Sequence, residues 1–166
     1  MCENLIIRPA SEQDLPAILD IYEQARQYMR QNGNMLQWND GYPAPSVLLE
    51  DIRLSRLYVC TDTTQIVGVF CFFIGTDPTY LHIYDGNWLN DQSYGVIHRI
   101  AVSAHRRGIA SHCFEYCISR CGNLKIDTHR DNIPMQRSLA KNGFTRCGII
   151  HLENGDERIA YQKVQN

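Results

Sequence analysis

A run of residues in the second half of the chain combines arginines with small side chains in a way that can hold a phosphate group. Segment 96–111 reads VIHRIAVSAHRRGIAS, in which a β-type run leads to Arg106 and Arg107, and Gly108 and Ala110 open a helix. Small side chains let backbone N–H groups approach an anion, and a helix N-terminus adds partial positive charge. The segment indicates a diphosphate site and matches neither a P-loop nor a Gly-x-Gly-x-x-Gly fingerprint. By itself it is equally compatible with an ordinary helix start flanked by solvated arginines.

A second segment downstream has a matching organisation. Segment 128–144 reads THRDNIPMQRSLAKNGF. A strand ends before Asn132, a helix opens there with Pro134 at an early turn, and Gly143 closes it. The two segments predict consecutive strand–helix units.

The elements around these segments follow from hydrophobic periodicity and turn residues. Helices are predicted at 12–31, 47–55, 108–121 and 132–142, and strands at 4–8, 57–60, 66–74, 94–102, 124–128, 144–151 and 157–164. An antiparallel hairpin in front of strand–helix–strand units argues for an α/β (α+β) protein with a mixed central sheet flanked by helices. Neither a repeat nor a linker interrupts the pattern, so residues 1–166 are expected to form one domain.

Composition excludes several classes of protein. Of 166 residues, 44% are apolar and 20% charged, and the formal net charge is −2, which gives no reason to expect non-specific binding to nucleic acid or to anionic lipid. The longest apolar run, 66–74, is too short to span a bilayer, and the N-terminus lacks a secretory pattern. We therefore expect a cytoplasmic protein with no membrane and no nucleic-acid partner.

The seven cysteines are best explained as reduced thiols, because their number is odd and no Cys-x-x-Cys spacing occurs. A metal site is the alternative, because cysteines recur every fourth residue beside His112, at Cys113, Cys117 and Cys121. Ligands at this spacing on one helix do not close a tetrahedral shell without a group from elsewhere. Apolar packing is the favoured interpretation, and no metal is expected.

Together the two segments resemble the cofactor segments of the GNAT acetyltransferase superfamily: an Arg/Gln-x-x-Gly-x-Gly/Ala loop, followed by strand, Asn, helix and Gly-Phe. Residues 5–10 (LIIRPA) before Asp14 and Leu15, and residues 66–69 (IVGV), are also similar to that family. The resemblance covers nearly the whole chain. It implies the GNAT fold, with a sheet splayed between the strands at Ile100 and Ile126. It also implies acetyl-CoA as co-substrate and N-acetyltransferase activity.

The resemblance assigns cofactor contacts to three parts of the chain. The backbone of Ile100, Ala101 and Val102 would pair with the pantetheine arm as an added strand. The helix-start Asn132 would contact the same arm, with Met135 and Arg137 alongside. The pyrophosphate would lie on a loop made of Arg106, Arg107, Gly108, Ile109, Ala110 and Ser111.

Two positions depart from the family pattern. His105 stands where the family has Arg or Gln, and Leu139 stands where many members have a tyrosine that protonates the leaving thiolate. The second departure keeps a different class open, an acyl-CoA-binding sensor or partner module without turnover.

Acetyl transfer to an amine needs a base with a pKa near the working pH. His98 is the first candidate, because it lies two residues before Ile100 and would share its face, although a satisfied sheet histidine is an equally good explanation. His129 is the second candidate. Tyr161 could replace the missing acid, or be an ordinary strand aromatic. Arg99 is expected on the opposite face from His98, paired with an acid.

The acceptor is expected to be a primary amine of a small molecule or a peptide. Trp38 and Tyr42 lie between the first two helices, in a loop that borders the acceptor site in this family, and Tyr84 belongs to an aromatic and acidic cluster at 80–88. Core packing explains these aromatics equally well. Nucleic-acid binding through the arginines is disfavoured by the net charge. A homodimer is compatible with the sequence, because many members of the family that it resembles form dimers.

Overall fold

A computed structural model of the chain describes residues 4–103 and 106–166. Its centre is a seven-stranded sheet with the order β1-β2-β3-β4-β5-β7-β6. The strands are β1 (Ile6–Pro9), β2 (Leu57–Thr61), β3 (Ile66–Ile74), β4 (Gly95–Val102), β5 (Asn123–Thr128), β6 (Thr145–His151) and β7 (Glu157–Val164). The helices are α1 (Leu15–Gln31), α2 (Pro45–Arg53), α3 (Ile109–Cys121) and α4 (Ile133–Lys141), with short 3-10 helices at Glu12–Asp14 and Pro78–Tyr80. The mixed sheet flanked by helices confirms the predicted fold class.

The sheet splits between β4 and β5, its one parallel pair among the described strands. These strands pair only at Gly95 with Leu124 and Val96 with Lys125, whereas β4 continues to Val102 and β5 to Thr128. Beyond Val96 the two strands separate, so the β5-facing edge of β4 has no strand partner in the described part of the chain. The cleft lies where the family resemblance implied a splay, between the strands at Ile100 and Ile126.

A β-bulge interrupts β4 beside this split. Cys71 pairs with His98 and Val69 with Ala101, so Arg99 and Ile100 both lie opposite Phe70. Arg99 has φ +52°, a left-handed conformation that costs of order 1–3 kcal/mol in a residue with a side chain. The Tyr22 hydroxyl stabilises it by donating to the Arg99 carbonyl at 2.6 Å.

The bulge overturns two expectations about side-chain direction. Ile100 packs in the core beneath α3, whereas His98 contacts Phe73 and Tyr80, and Arg99 pairs with Asp51 of α2. His98 therefore shares a side with Arg99 and not with Ile100, because the extra residue shifts the alternation by one. The expected acid partner of Arg99 is confirmed: its guanidinium donates to both Asp51 carboxylate oxygens at 2.9 Å.

Helix ends follow local capping chemistry. The Asp14 carboxylate before α1 accepts from the Ser11 backbone N–H at 2.8 Å, as in a capping box. Gly108 (φ +83°) precedes α3 and Gly122 (φ +69°) ends it, both in the left-handed region that glycine adopts freely. The second helix begins earlier than predicted, because Pro45 occupies its first turn, where a missing N–H is tolerated.

Apolar cores lie on both sides of the sheet. Phe70, Phe114 and Leu124 are buried on the α3 side, and Ile18, Tyr22 and Leu48 are buried beneath α1 and α2. Cys113 and Cys117 belong to the α3-side core, as the packing interpretation predicted. Across residues 4–103 and 106–166 no cluster of three or more His, Cys, Asp or Glu could hold a metal ion. None of the helices in those ranges has the length and apolar character needed to cross a bilayer.

Candidate active site

A cavity of about 790 Å³ opens at the split between β4 and β5. Its walls come from the loop between α1 and α2, the middle of β4, the end of β5, the start of α4 and the turn between β6 and β7. The lining includes Trp38, Tyr42, Asp77, Ile97, His98, Arg99, Ile100, Ile126, Asp127, Thr128, Asn132, Met135, Asp156 and Arg158. It therefore brings a strand edge, titratable side chains and aromatic rings into one space.

His98 lies in this cavity between two carboxylates. Its Nε2 is 2.5 Å from Oδ2 of Asp77, and its Nδ1 is 3.9 Å from Oδ2 of Asp127. The three side chains come from β4, from the segment after β3 and from β5, and the imidazole is 25% exposed. Solvent or a ligand can therefore reach the ring while both its nitrogens face acids.

Asp77 is positioned to determine which nitrogen of His98 carries the proton. Burial alone would raise the pKa of Asp77, but the hydrogen bond and charge of His98 and the donors of Thr79 outweigh it, so its pKa is lowered. Thr79 donates to Asp77 Oδ1 from its backbone N–H and its hydroxyl, at 2.8 and 2.7 Å. An ionised carboxylate only accepts hydrogen bonds, so in the neutral form of His98 the proton is on Nε2 and Nδ1 has a lone pair.

Asp127 is held on the other side of the imidazole by Tyr80. The Tyr80 hydroxyl donates to Asp127 Oδ2 at 2.6 Å. Burial first, and then the neighbouring Asp127, raise the pKa of Tyr80 well above its ordinary value, so the phenol stays protonated. The Asp127 carboxylate is thereby held near Nδ1 of His98, where a positive charge would be stabilised.

The cleft has features that fit an acyl-CoA molecule. Residues 97–102 of β4 present an edge that β5 does not cover, which an extended pantetheine arm can join through backbone hydrogen bonds. The hydroxyl of Thr128, a buried residue of the cavity wall, has no hydrogen-bond partner among residues 4–103 and 106–166. A buried hydroxyl without a partner is costly, so a polar group of a ligand would be stabilised there. The N-terminus of α3 after Gly108 suits an anion.

A buried hydrogen-bond cluster ties the α1–α2 loop to the start of α4. Gln37 Oε1 accepts from Asn34 Nδ2 at 2.7 Å and from Asn132 Nδ2 at 3.0 Å, and the Asn132 Oδ1 caps α4 by accepting from the Met135 N–H at 3.1 Å. Arg30 donates to three backbone carbonyls of the same loop, at residues 34, 37 and 38. The loop that carries Trp38 and Tyr42 is therefore joined to the helix that the resemblance places against the cofactor.

The structure brings together some of the residues named from sequence and separates others. Trp38, Tyr42, His98, Ile100, Asn132 and Met135 line the cavity. Ala101 and Ile109 are buried in the two cores, Val102, Arg106, Ala110 and Ser111 are half-buried outside the cavity lining, and Arg107, Gly108 and Arg137 are exposed. His105 lies outside the described residues.

Three candidates do not reach the cavity. The Nδ1 of His129 accepts from the Asp131 N–H at 3.0 Å, and the ring lies in a second cavity, of about 530 Å³. Tyr161 is buried in the α3-side core, where burial raises the pKa of its hydroxyl. Tyr84 lies on the outer edge of the sheet, stacked on His151 at 4.4 Å between ring centres.

The carboxylates that flank His98 were not identified from the sequence. Asp77 lies in an irregular segment, and its contact with a histidine 21 positions away has no local signal. Asp127 could have been found, because on a strand it alternates with the inward-facing Ile126, which places it on the other face. Thr128 and Gln37 carry no sequence signal, since their importance comes from burial.

Comparisons with known proteins agree with this geometry. Residues 15–144 match the model of the Acetyltransferase (GNAT) family. A GNAT-family acetyltransferase from Streptococcus agalactiae 2603 is 31% identical with a TM-score of 0.91, covering 99% of this chain and 97% of that one. A Staphylococcus aureus MU50 protein assigned as an acetyltransferase is 27% identical with a TM-score of 0.70, covering 96% and 98%. A chain of the NatC complex bound to Gag peptide and CoA shares the fold at 15% identity and a TM-score of 0.63, covering 98% and 99%. A search of curated proteins gave no match.

The chain belongs to the GNAT family of acetyltransferases. It is an N-acetyltransferase, and the family's acyl donor is an acyl-CoA.

Proposed function

We propose that the protein transfers an acetyl group from acetyl-CoA directly to a primary amine of a small molecule or peptide, with His98 as the base. The observation that carries the proposal is the placement of His98 between Asp77 and Asp127 at the split of the sheet. The same cavity holds an unpaired strand edge for the donor and an aromatic loop for the acceptor.

The donor's place follows from the residues that fit it. When bound, acetyl-CoA supplies an acyl group activated as a thioester. The edge of β4 at 97–102 would hold the pantetheine arm, with Thr128, Asn132 and Met135 along its other side and the loop at 106–111 at its phosphates. A backbone N–H on the uncovered edge of β4 would polarise the thioester carbonyl.

The proton of the amine would pass to Nδ1 of His98. Asp77 holds the Nε2 proton, which leaves Nδ1 as the acceptor. Amines are protonated in water, and the Asp127 carboxylate would attract the ammonium group to the position beside Nδ1. Once Nδ1 has taken the proton, both imidazolium N–H groups face carboxylates, which favours the proton transfer. The freed amine nitrogen would then bond to the thioester carbon as the C–S bond breaks, and the CoA thiolate would leave and take up, through solvent, the remaining proton of the new amide nitrogen.

The acceptor would enter beside the α1–α2 loop. Trp38 packs edge-on against Tyr22 at 5.5 Å between ring centres, and Tyr42 accepts a hydrogen bond from Arg99 at 3.1 Å. Both rings are thus held in place on the wall of the cavity. Tyr84, the third residue expected at the acceptor, is too far along the sheet edge to support this role.

A second function, binding of acyl-CoA without turnover, is favoured by one observation. Leu139 is fully buried in the apolar core at the position where many relatives have a tyrosine, and Tyr161, its suggested replacement, is buried in the same core. A protein that lacks an acid for the leaving thiolate could be a sensor. A base held between two carboxylates has no evident use in a sensor, which is why we prefer the transferase.

Thiol release from acetyl-CoA in the presence of amines, polyamines, amino acids and peptides tests the proposal. Turnover on one acceptor class, lost in Gly108→Trp, would support it, and parallel assays with propionyl-CoA and succinyl-CoA would test the preference for acetyl. Tight acetyl-CoA binding without thiol release on any acceptor would favour the sensor.

Several other expectations stay predictions. They are a single domain over residues 1–166, a cytoplasmic location, the absence of nucleic-acid and membrane partners, and a homodimer. Analytical ultracentrifugation would test the last.

A further inference from the structure

A second cavity, of about 530 Å³, adjoins the candidate active site. Its lining includes three arginines from different elements: Arg130 follows β5, Arg146 lies on β6 and Arg158 on β7. The two cavities share Arg158 and Asn39 among their walls. A molecule in the first cavity can therefore extend into the second along a continuous surface.

The three guanidinium groups are available to a ligand. Within residues 4–103 and 106–166 none of them lies within ion-pair distance of a carboxylate; Arg158 donates only to the backbone carbonyl of Glu157, at 2.9 Å. The acids of this cavity, Asp156 and Glu157, have other neighbours: Asp156 accepts from Asn154 at 3.1 Å, and Glu157 lies 3.9 Å from His151. The second cavity is thus lined by three arginines and two acids, and within the described residues the arginines make no ion pair.

His129 adds no further positive charge to this cavity. Burial first, and then the charge of Arg158, lower its pKa, and its Nδ1 already accepts from the Asp131 N–H. The neutral ring has its Nε2 as a donor. The cavity thus presents permanently charged guanidinium groups and one neutral N–H donor, which together match the oxygens of a carboxylate or a phosphate.

We propose that this second cavity binds an anionic group, a carboxylate or a phosphate, of the acceptor whose amine reaches His98. The inference rests on the proposed function and narrows the acceptor class to amines that carry an acid at the other end. Asp127 at one end and the arginines at the other would then orient such a molecule by opposite charges.

Matched acceptors and arginine variants test this assignment. The probes are ω-amino acids of increasing length with their amides, dipeptides with free and amidated C-termini, and phosphoethanolamine with ethanolamine. The Arg130→Gln and Arg146→Gln variants, single and combined, remove cations that line only the second cavity. Arg53→Gln is the control, because Arg53 is an exposed residue of α2 paired with Glu50.

We expect the acid member of at least one pair to be preferred by about tenfold or more in kcat/KM, since charge-assisted hydrogen bonds are the stronger ones. That preference should fall about fivefold or more in the double variant, while its KM for acetyl-CoA stays at the wild-type value. The Arg53→Gln protein should keep the wild-type preference. The dipeptide and phosphoethanolamine pairs separate carboxylate from phosphate. Equal use of both members by wild type, a preference that survives the double variant, or a rise in KM for acetyl-CoA instead would overturn the assignment.

Calorimetric binding of the same pairs in the presence of CoA separates this assignment from the proposed function. Preferential binding of the acid member, lost in the double variant, would uphold the anion site even if no amine is acetylated. Turnover without any preference in rate or binding would leave the transferase standing and remove the anion site.

Discussion

The Nε2 atom of His98 lies 2.5 Å from Oδ2 of Asp77, which joins the middle of β4 to the irregular segment after β3. Thr79 holds Asp77 in place by donating two hydrogen bonds to it, and the bulge at Arg99 gives His98 and Ile100 opposite directions, with His98 away from the α3-side core. The histidine is therefore positioned by two separate parts of the chain, β4 and the segment after β3. Such a geometry suits a general base, because it fixes the tautomer of the imidazole and leaves Nδ1 as the nitrogen that accepts the proton.

Asp77→Asn should lower kcat by about 10²-fold or more while leaving acetyl-CoA affinity unchanged, because an amide that donates to Nε2 would favour the wrong tautomer of His98. Steady-state kinetics and acetyl-CoA binding measure the two quantities. Asp91→Asn is the control, since Asp91 is exposed in the same irregular segment. A variant with normal kcat would mean that Asp77 has only a structural role.

Gly108→Ala should weaken acetyl-CoA binding, because Gly108 precedes α3 with φ +83° and an added Cβ both strains the backbone and obstructs the approach to the helix N-terminus. Gly122→Ala at the other end of the same helix is a matched control, with φ +69° and open space around the added atom. Binding of acetyl-CoA by both variants should be compared with their free energies of unfolding. Equal binding losses would show that strain alone is responsible.

Gln37→Leu should reduce the free energy of unfolding by about 1–3 kcal/mol, because the buried amides of Asn34 and Asn132 lose their shared acceptor. It should also raise KM for the amine, since the loop with Trp38 and Tyr42 loses its bond to α4. Urea denaturation and acceptor kinetics measure these effects. Gln27→Leu, on the exposed face of α1, is the control. A Gln37→Leu protein that is less stable but has unchanged kinetics would show that this hydrogen-bond cluster does not affect binding of the amine.

Acid should destabilise the protein partly through Asp14. The hydrogen bonds from Arg8 outweigh burial and lower the pKa of Asp14 from 3.8 to about 2. A carboxylate whose pKa is lower in the folded state stabilises it above pH 4, and this contribution is lost as the pH falls towards 2. The difference in urea midpoint between wild type and Asp14→Asn should therefore shrink from pH 7 to pH 2.5. Asp20→Asn, which removes a carboxylate that accepts a hydrogen bond from Gln24 Nε2, is the control for the loss of one acid from this part of the chain.

Much of the fold could be predicted from local patterns. The hairpin of β2 and β3, the glycines at both ends of α3 and the Asn132 start of α4 follow from turn and capping residues that act over a few positions. The split of the sheet was expected from the family resemblance, as neither strand shows from its own sequence where pairing stops.

The bulge and the partners of His98 could not be predicted in this way. Strict alternation along β4 assigned His98 to the side of Ile100, and one extra residue opposite Phe70 reversed that assignment. Asp77 and Asp127 meet His98 only through the folded sheet, and Tyr161 is buried in a core that it shares with Phe114 of α3 and Leu139 of α4. Contacts over long sequence separations leave no periodic signal.

The rate of thiol release by His98→Gln, measured beside wild type on the best acceptor of the amine panel, tests the central claim most directly. We predict a loss of about 10²-fold or more in kcat with acetyl-CoA affinity unchanged, and no loss in His82→Gln, whose exposed side chain lies outside both cavities. A His98→Gln protein that releases thiol at the wild-type rate would contradict the assignment of His98 as the base.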